Sequence, residues 1–290
     1  MLAAPRFDPL HLRPAEHRGG RVSTVSTHST LGILATGDNC VDWYDRQQQG
    51  YAGGNAVNVA VSARRAGAPV SYVGAVGTDA AGDLIRRRLT EEHVDLSHLH
   101  VEDGATALTH VEIIDGDRMF GDYDEGVMES FAPSAEDLDF AAEHAIFASA
   151  LWGRTEHHLA EIRRRGCLVA FDIADEPARP AAVTAIDQTD LCFTSRLADD
   201  ADTRALMESI AHRGPSVVVA TLGEAGSLAL TDGTWHHCPA ERVEVIDTMG
   251  AGDSFIGGYL AALLEGAEVP ECLQAGTRSA ARTLRIAGAW

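Results

Sequence analysis

Lysine is absent from the 290 residues; all 23 basic side chains are arginine. That absence excludes three chemistries. A Walker A loop needs Gly-Lys-Ser/Thr, a protein kinase needs its strand lysine, and a pyridoxal-phosphate enzyme needs a Schiff-base lysine. Any phosphate this chain binds is held by backbone amides or by arginine. Positive charge is also scarce, 23 residues against 43 acidic ones for a net −20, which excludes a nucleic-acid or anionic-membrane partner. Cysteine is sparse as well: Cys40, Cys167, Cys192, Cys238 and Cys272 are scattered, odd in number and never spaced CxxC. In a chain able to bury a large core they read as reduced thiols of a cytoplasmic protein. His236-His237-Cys238 is the one cluster of metal-ligand types, but three consecutive strand residues cannot all face one ion. No apolar run approaches the ~18–20 residues needed to span a bilayer. The first thirty residues, interrupted by Arg13, Glu16, Arg18 and Arg21, lack a signal-peptide core and read as a flexible extension before a domain at 31–290.

What is present is ordinary globular composition, 45% apolar and 23% charged, with 28 glycines. Strand-like runs at Leu31–Gly37, Ser71–Gly77, Ala145–Leu151, Cys167–Ile173, Asp190–Phe193 and Ser216–Leu222 alternate with helical patterns. The helices are expected at Asn55–Arg65, Asp83–His93, Glu156–Arg165 and Asp202–His212. Gly226–Thr231 and Trp235–Cys238 flank Asp232-Gly233 as a hairpin. The alternation predicts an α/β fold with a mainly parallel sheet. Two segments stand outside it: Val41–Ala52, rich in Asp, Gln and Tyr, and Thr106–Val127, which alternates around Asp115-Gly116. They are expected to form a small antiparallel flap over the sheet edge that covers Phe120 and Tyr123.

The sharpest element is Val243–Leu264, read as a strand, a glycine turn and a helix. Gly250 and Gly252 let successive amides, those of Ala251 and Asp253 included, point into one concavity at a helix N-terminus: an anion site built without lysine. Asp253 sits beside that anion, where a carboxylate would repel a ligand that is merely bound. In a phosphotransferase it accepts the proton of the attacking hydroxyl. An N-capping role for Asp253 is the plain alternative.

The string Asp247-Thr-Met-Gly-Ala-Gly-Asp253 resembles the C-terminal signature of the ribokinase-like (PfkB) carbohydrate kinases. Three further segments agree in order: Gly37-Asp-Asn-Cys-Val-Asp42, Gly53-Gly-Asn-Ala-Val-Asn58 and Thr221-Leu-Gly-Glu-Ala-Gly226. The resemblance implies a three-layer fold with a small β lid at 41–52 and 106–127, ATP and Mg²⁺ as cosubstrate and cofactor, and Asp253 as base over the amides of 250–253. It places Asp38, Asn39, Asp42, Gly53, Gly54, Asn55, Asn58, Arg118 and Trp152 at the sugar. Ser195, Thr221, Gly223 and Gly226 fall on the nucleotide side. Asp247 and the Met249 carbonyl match positions that hold a monovalent cation such as K⁺.

Finer strings, Gly37–Asp42, Gly53–Val61, Phe120–Met128, Trp152-Gly153 and Gly288-Ala289-Trp290, resemble the branch of the family that phosphorylates the 6-hydroxyl of fructoselysine. Such a substrate carries ammonium groups, and Asp38, Asp42, Asp122, Asp124 and Glu125 would meet them. Fructose, 2-keto-3-deoxygluconate or a nucleoside remains an alternative acceptor, and a non-catalytic sugar or nucleotide sensor is a second alternative. Pairing of two copies through the lid is a further expectation.

Overall fold

The computed structural model describes residues 31–114 and 117–290, with the side chains of all but 112–120. The first thirty residues, the turn expected at Asp115-Gly116 and the side chains of Arg118 and Phe120 lie outside the described residues.

The chain opens with β1 (Leu31–Thr36), β2 (Cys40–Tyr44), β3 (Gln49–Gly53), α1 (Asn55–Arg65), β4 (Val70–Val73), β5 (Ala75–Gly77) and α2 (Ala80–Glu91). β6 (His100–Glu102), β7 (Leu108–Ile114), β8 (Asp117–Asp124), α3 (Ala135–Ala141), β9 (His144–Ala150) and α4 (Leu159–Arg164) follow. Next come β10 (Leu168–Asp172), α5 (Pro180–Ile186), β11 (Leu191–Ser195), α6 (Ala201–Ala211) and β12 (Val217–Thr221). The hairpin β13 (Ser227–Thr231) and β14 (Thr234–Cys238), then α7 (Ala251–Leu264) and α8 (Val269–Thr283), complete the order.

Eight strands form one sheet in the order β14-β13-β12-β11-β10-β9-β1-β4. The six from β12 to β4 are parallel, and the hairpin adds an antiparallel edge. Each central strand is apolar along its length because both faces are covered. Ile33 and Ala35 of β1, Ile146 of β9 and Val219 of β12 join one core with α1, α2, α7 and α8. Leu34, Phe147 and Val218 join a second core with α3, α4, α5 and α6. That period-two division makes a three-layer α/β/α arrangement. The second sheet, in the order β3-β2-β7-β8, is the expected small β element, but it is mixed rather than antiparallel: each segment is an antiparallel pair, and the two join through parallel β2 and β7. It leaves Tyr123 42% exposed, so burial of that ring is not what holds it in place.

Two further expectations fail. Residues 243–246 form no strand: the Ile246 amide bonds the Leu284 carbonyl at the end of α8, and Val245 and Ile246 face outward. A β-branched run reads as a strand by pattern, but here no neighbouring strand edge receives it. The single strand expected over Ser71–Gly77 divides into β4 and β5, which belong to different sheets. The break is at Gly74, where a Cβ would stand 2.2 Å from the Tyr72 hydroxyl and 2.6 Å from the Gly37 carbonyl.

Candidate active site

The carboxyl ends of the parallel strands converge on one rim, the ligand-binding edge of open α/β sheets. Asp38 follows β1, Asp172 ends β10, Ser195 ends β11 and Thr221 ends β12. α1 and α7 point their N-termini at the same place. α1 begins there because Gly54 adopts φ 104°, and a Cβ on it would lie 2.5 Å from Asn39 Cα. Only glycine permits that approach.

Asp253, in the first turn of α7, is held by two amides from α1. Asn58 Nδ2 donates to its Oδ2 at 2.7 Å and Asn55 Nδ2 to its Oδ1 at 2.8 Å. The same Asn55 Nδ2 donates to Asp172 Oδ2 at 3.1 Å, and the Asn55 backbone amide donates to Asp38 Oδ2 at 2.7 Å. Three carboxylates thus share one asparagine. Burial pushes the Asp253 carboxyl up to about 8, with Asp172 and Asp38 adding like-charge repulsion against the bonds from Asn58 and Asn55. Asp172 rises to about 6, again chiefly by burial, and Asp38 rises for the same reason. Asp38 Oδ1 is buried without a hydrogen-bond partner among the described residues, an acceptor ready for a hydroxyl.

At the glycine turn, Gly250 lies at φ 66° and is the N-cap of α7. The Ala251 amide donates to the Thr248 carbonyl at 3.3 Å, while the amides of Gly250, Gly252 and Asp253 have no acceptor among the described residues. A Cβ on Gly252 would meet nothing within 4 Å. Unpaired amides around an open approach at a helix N-terminus fit a phosphate group. Asp247 braces the loop: Oδ1 accepts from the Met249 amide and Oδ2 from the Gly288 amide, both at 2.7 Å. Among the described residues no group of three or more His, Cys, Asp or Glu side chains could hold a metal ion.

The other expected site residues divide. Asp42, buried on β2, lies beside Gly53, where a Cβ would stand 2.7 Å from Asp42 Oδ2. Asn39 is turned away from the rim, fully buried, with Nδ2 donating to Tyr72 Oη at 3.0 Å and the Ala75 carbonyl at 2.7 Å. It braces the core. Trp152 is half-buried against the second core, with Arg179 over its ring at 5.4 Å. Ser195 Oγ and Thr221 Oγ1 are 3.2 Å apart, and Gly223 (φ 56°) and Gly226 (φ 95°) shape the turn after β12.

The sequence reading missed Asp172 and a set of exposed apolar residues, and it named Trp290 only within the string Gly288-Ala289-Trp290, without a role. Trp290 Nε1 donates to Asn58 Oδ1 at 2.9 Å. Leu197 after β11 is 97% exposed and Ile246 before the glycine turn 65%. The run of Val and Ile before the turn was the available signal for the last of these, but it reads as a strand. All five cysteines are free and buried, and among the described residues no helix is long and apolar enough to cross a membrane.

A three-layer α/β fold with a lysine-free glycine turn at a helix N-terminus and a carboxylate beside it suits the chemistry of phosphoryl transfer. Residues 32–289 match the model of the pfkB family carbohydrate kinases, and the chain belongs to that family. It is an ATP-dependent carbohydrate kinase. It is 44% identical over 263 residues to the fructoselysine 6-kinase of Escherichia coli (strain K12), covering 90% of this chain and all of that one. A fructosamine kinase of Bacillus subtilis (strain 168) is 31% identical over 271 residues, covering 90% and 93%. Among solved structures, Arabidopsis thaliana ribokinase complexed with ribose and ATP superposes with a TM-score of 0.79 at 21% identity. That alignment covers 89% of this chain and 94% of that one, and it bears on the fold alone.

Proposed function

We propose that this kinase transfers the γ-phosphoryl group of ATP to the 6-hydroxyl of fructoselysine or a related fructosamine. The observation that carries the reading is the placement of Asp253, a carboxylate raised to about 8, in the helix turn where the amides of Gly250, Gly252 and Asp253 have no acceptor among the described residues. Asp253 takes the proton of the attacking hydroxyl, and a pKa near the working pH makes it an effective base. The amides of Gly250, Gly252 and Asp253 hold charge on the transferring group, the principal contribution in phosphoryl transfer. Mg²⁺ neutralises phosphate charge when bound. With no carboxylate cage among the described residues to hold it, its protein-side ligands there are few, as suits a metal that arrives on the nucleotide. A monovalent cation at the loop would rely on carbonyls such as that of Met249, because Asp247 already accepts two amides. Assays with and without K⁺ test that ligand.

At the sugar end, Asp38 and Asp42 offer acceptors to hydroxyls. Glu125, directly after β8, would meet the amine of a fructosamine by exchanging its present partner Arg154. The likeness to fructoselysine 6-kinase and to a fructosamine kinase supports this substrate class over unmodified sugars. On the nucleotide side, Leu197, Val245 and Ile246 supply an exposed apolar rim for the base. The small sheet closes over the sugar, and its outer face is the surface through which two copies would pair, which light scattering tests. Free, buried thiols suit a reducing cytoplasm. Identification of the product of fructoselysine plus ATP by mass and NMR tests the whole reading, and a strong preference for unmodified fructose overturns the substrate.

A further inference from the structure

We propose that Trp290 is a positioning residue for Asp253: its indole N–H holds the Asn58 amide in the one orientation that aims Nδ2 at the carboxylate. Trp290 Nε1 lies 2.9 Å from Asn58 Oδ1, and Asn58 Nδ2 lies 2.7 Å from Asp253 Oδ2. An indole nitrogen only donates and an ionised carboxylate only accepts. Turned over, the amide would oppose two donors at one end and two acceptors at the other. Asn58 is buried, so neither misfit is relieved by water. A side-chain amide is otherwise free to turn, and here its direction is decided from 232 residues away.

The consequence falls on Asp253. Asn58 is the strongest of the hydrogen bonds that favour its ionised form; without it, Asp253 depends on Asn55, whose Nδ2 is shared with Asp172. The charged groups facing Asp253 are Asp172 at the end of β10 and Asp38 after β1, both of which oppose ionisation. From α2, Arg88 lies over the Trp290 ring at 5.1 Å.

The residues leading to Trp290 are seated on the same loop. The Gly288 amide bonds Asp247, and a Cβ on Gly250 would come within 2.6 Å of Ala289 Cβ. Segment 288–290 therefore touches the loop's brace, its cap glycine and the base's partner together. This inference rests on Asp253 being the base.

The test is kcat and kcat/KM against pH, with sugar and Mg·ATP, for Trp290→Phe, which keeps a ring and removes the donor. The acid limb is expected to move up by about one pH unit, with turnover below it about tenfold lower, since one pKa unit is a factor of ten. KM for ATP stays within about twofold, as expected when only transition-state stabilisation is lost. If that variant folds poorly, β-(3-benzothienyl)alanine at position 290 replaces N–H by sulfur with the ring shape kept, and the same limb shift is expected. Arg88→Met keeps the N–H and should keep the wild-type limb. A wild-type limb in both donor-free proteins, or an equal shift in Arg88→Met, overturns the inference. Asp253→Asn separates the two readings: near-normal turnover removes the base itself, whereas inactive Asp253→Asn with an unshifted Trp290→Phe removes only the role of Trp290.

Discussion

Asp253 and Asp172 share one hydrogen-bond donor, the Nδ2 of Asn55, at 2.8 Å and 3.1 Å. One N–H₂ group thus separates two carboxylates that both sit above their ordinary range, at about 8 and about 6. Removing the charge of one relieves the other, and the two titrate as a coupled set with Asp38.

Stability carries the signature of that arrangement. A carboxyl whose folded pKa exceeds its unfolded value binds more protons when folded, so stability falls as pH rises between the two values. For Asp253 that window runs from the ordinary aspartate value of 3.8 to about 8. The melting temperature is expected to fall from pH 5 to pH 8, and Asp253→Asn should show a shallower fall. Equal slopes in calorimetry would mean that Asp253 is not raised.

Catalysis should respond to the same substitution in the opposite sense. Asp253→Asn is expected to lower kcat by ~10²–10⁴-fold, the usual worth of a positioned base. ATP binding by titration calorimetry should persist, because the amides remain. A folded variant with near-normal turnover would remove the base assignment.

Two neighbouring glycines should fail differently. Gly250→Ala meets both a left-handed backbone at φ 66° and Ala289 Cβ at 2.6 Å, so it should cost roughly 1–3 kcal/mol or more in stability. Gly252→Ala meets no protein atom within 4 Å, so the fold should hold. Its new methyl instead obstructs the approach to the amides, and kcat/KM for ATP should drop roughly 10–10²-fold. Parallel thermal melts and kinetics compare them; unaltered kinetics in Gly252→Ala would argue against phosphate at this turn.

The apolar rim proposed for the base makes a selective probe. Ile246 is 65% exposed, so Ile246→Ser should alter stability by less than about 0.5 kcal/mol. Loss of part of its burial against a base, about 1 kcal/mol, should raise KM for ATP roughly fivefold and leave KM for the sugar alone. A change in the sugar KM instead would move the nucleotide elsewhere.

Much of this was legible in the chain because it is local. The glycine turn is seven consecutive residues, and α1 follows directly from its diglycine. The alternation of apolar runs with helices was enough to establish the parallel sheet. The hidden parts are the non-local ones. Asp172 is a lone acid at a strand end, a type that capping and surface positions share. Asn39 belongs to a motif, yet its side chain points at Tyr72, and no spacing rule distinguishes that direction from the opposite one.

By itself, the sequence determined that any phosphate is met by backbone amides or arginine, since no lysine exists to meet it, and that a carboxylate follows directly on the glycine turn. Tertiary structure alone decided the state of that carboxylate. Its ionisation depends on burial, on two acids brought from the ends of other strands, and on an asparagine whose orientation a distant tryptophan sets. Those influences act through space over a few ångströms, and only the folded chain brings their sources that close.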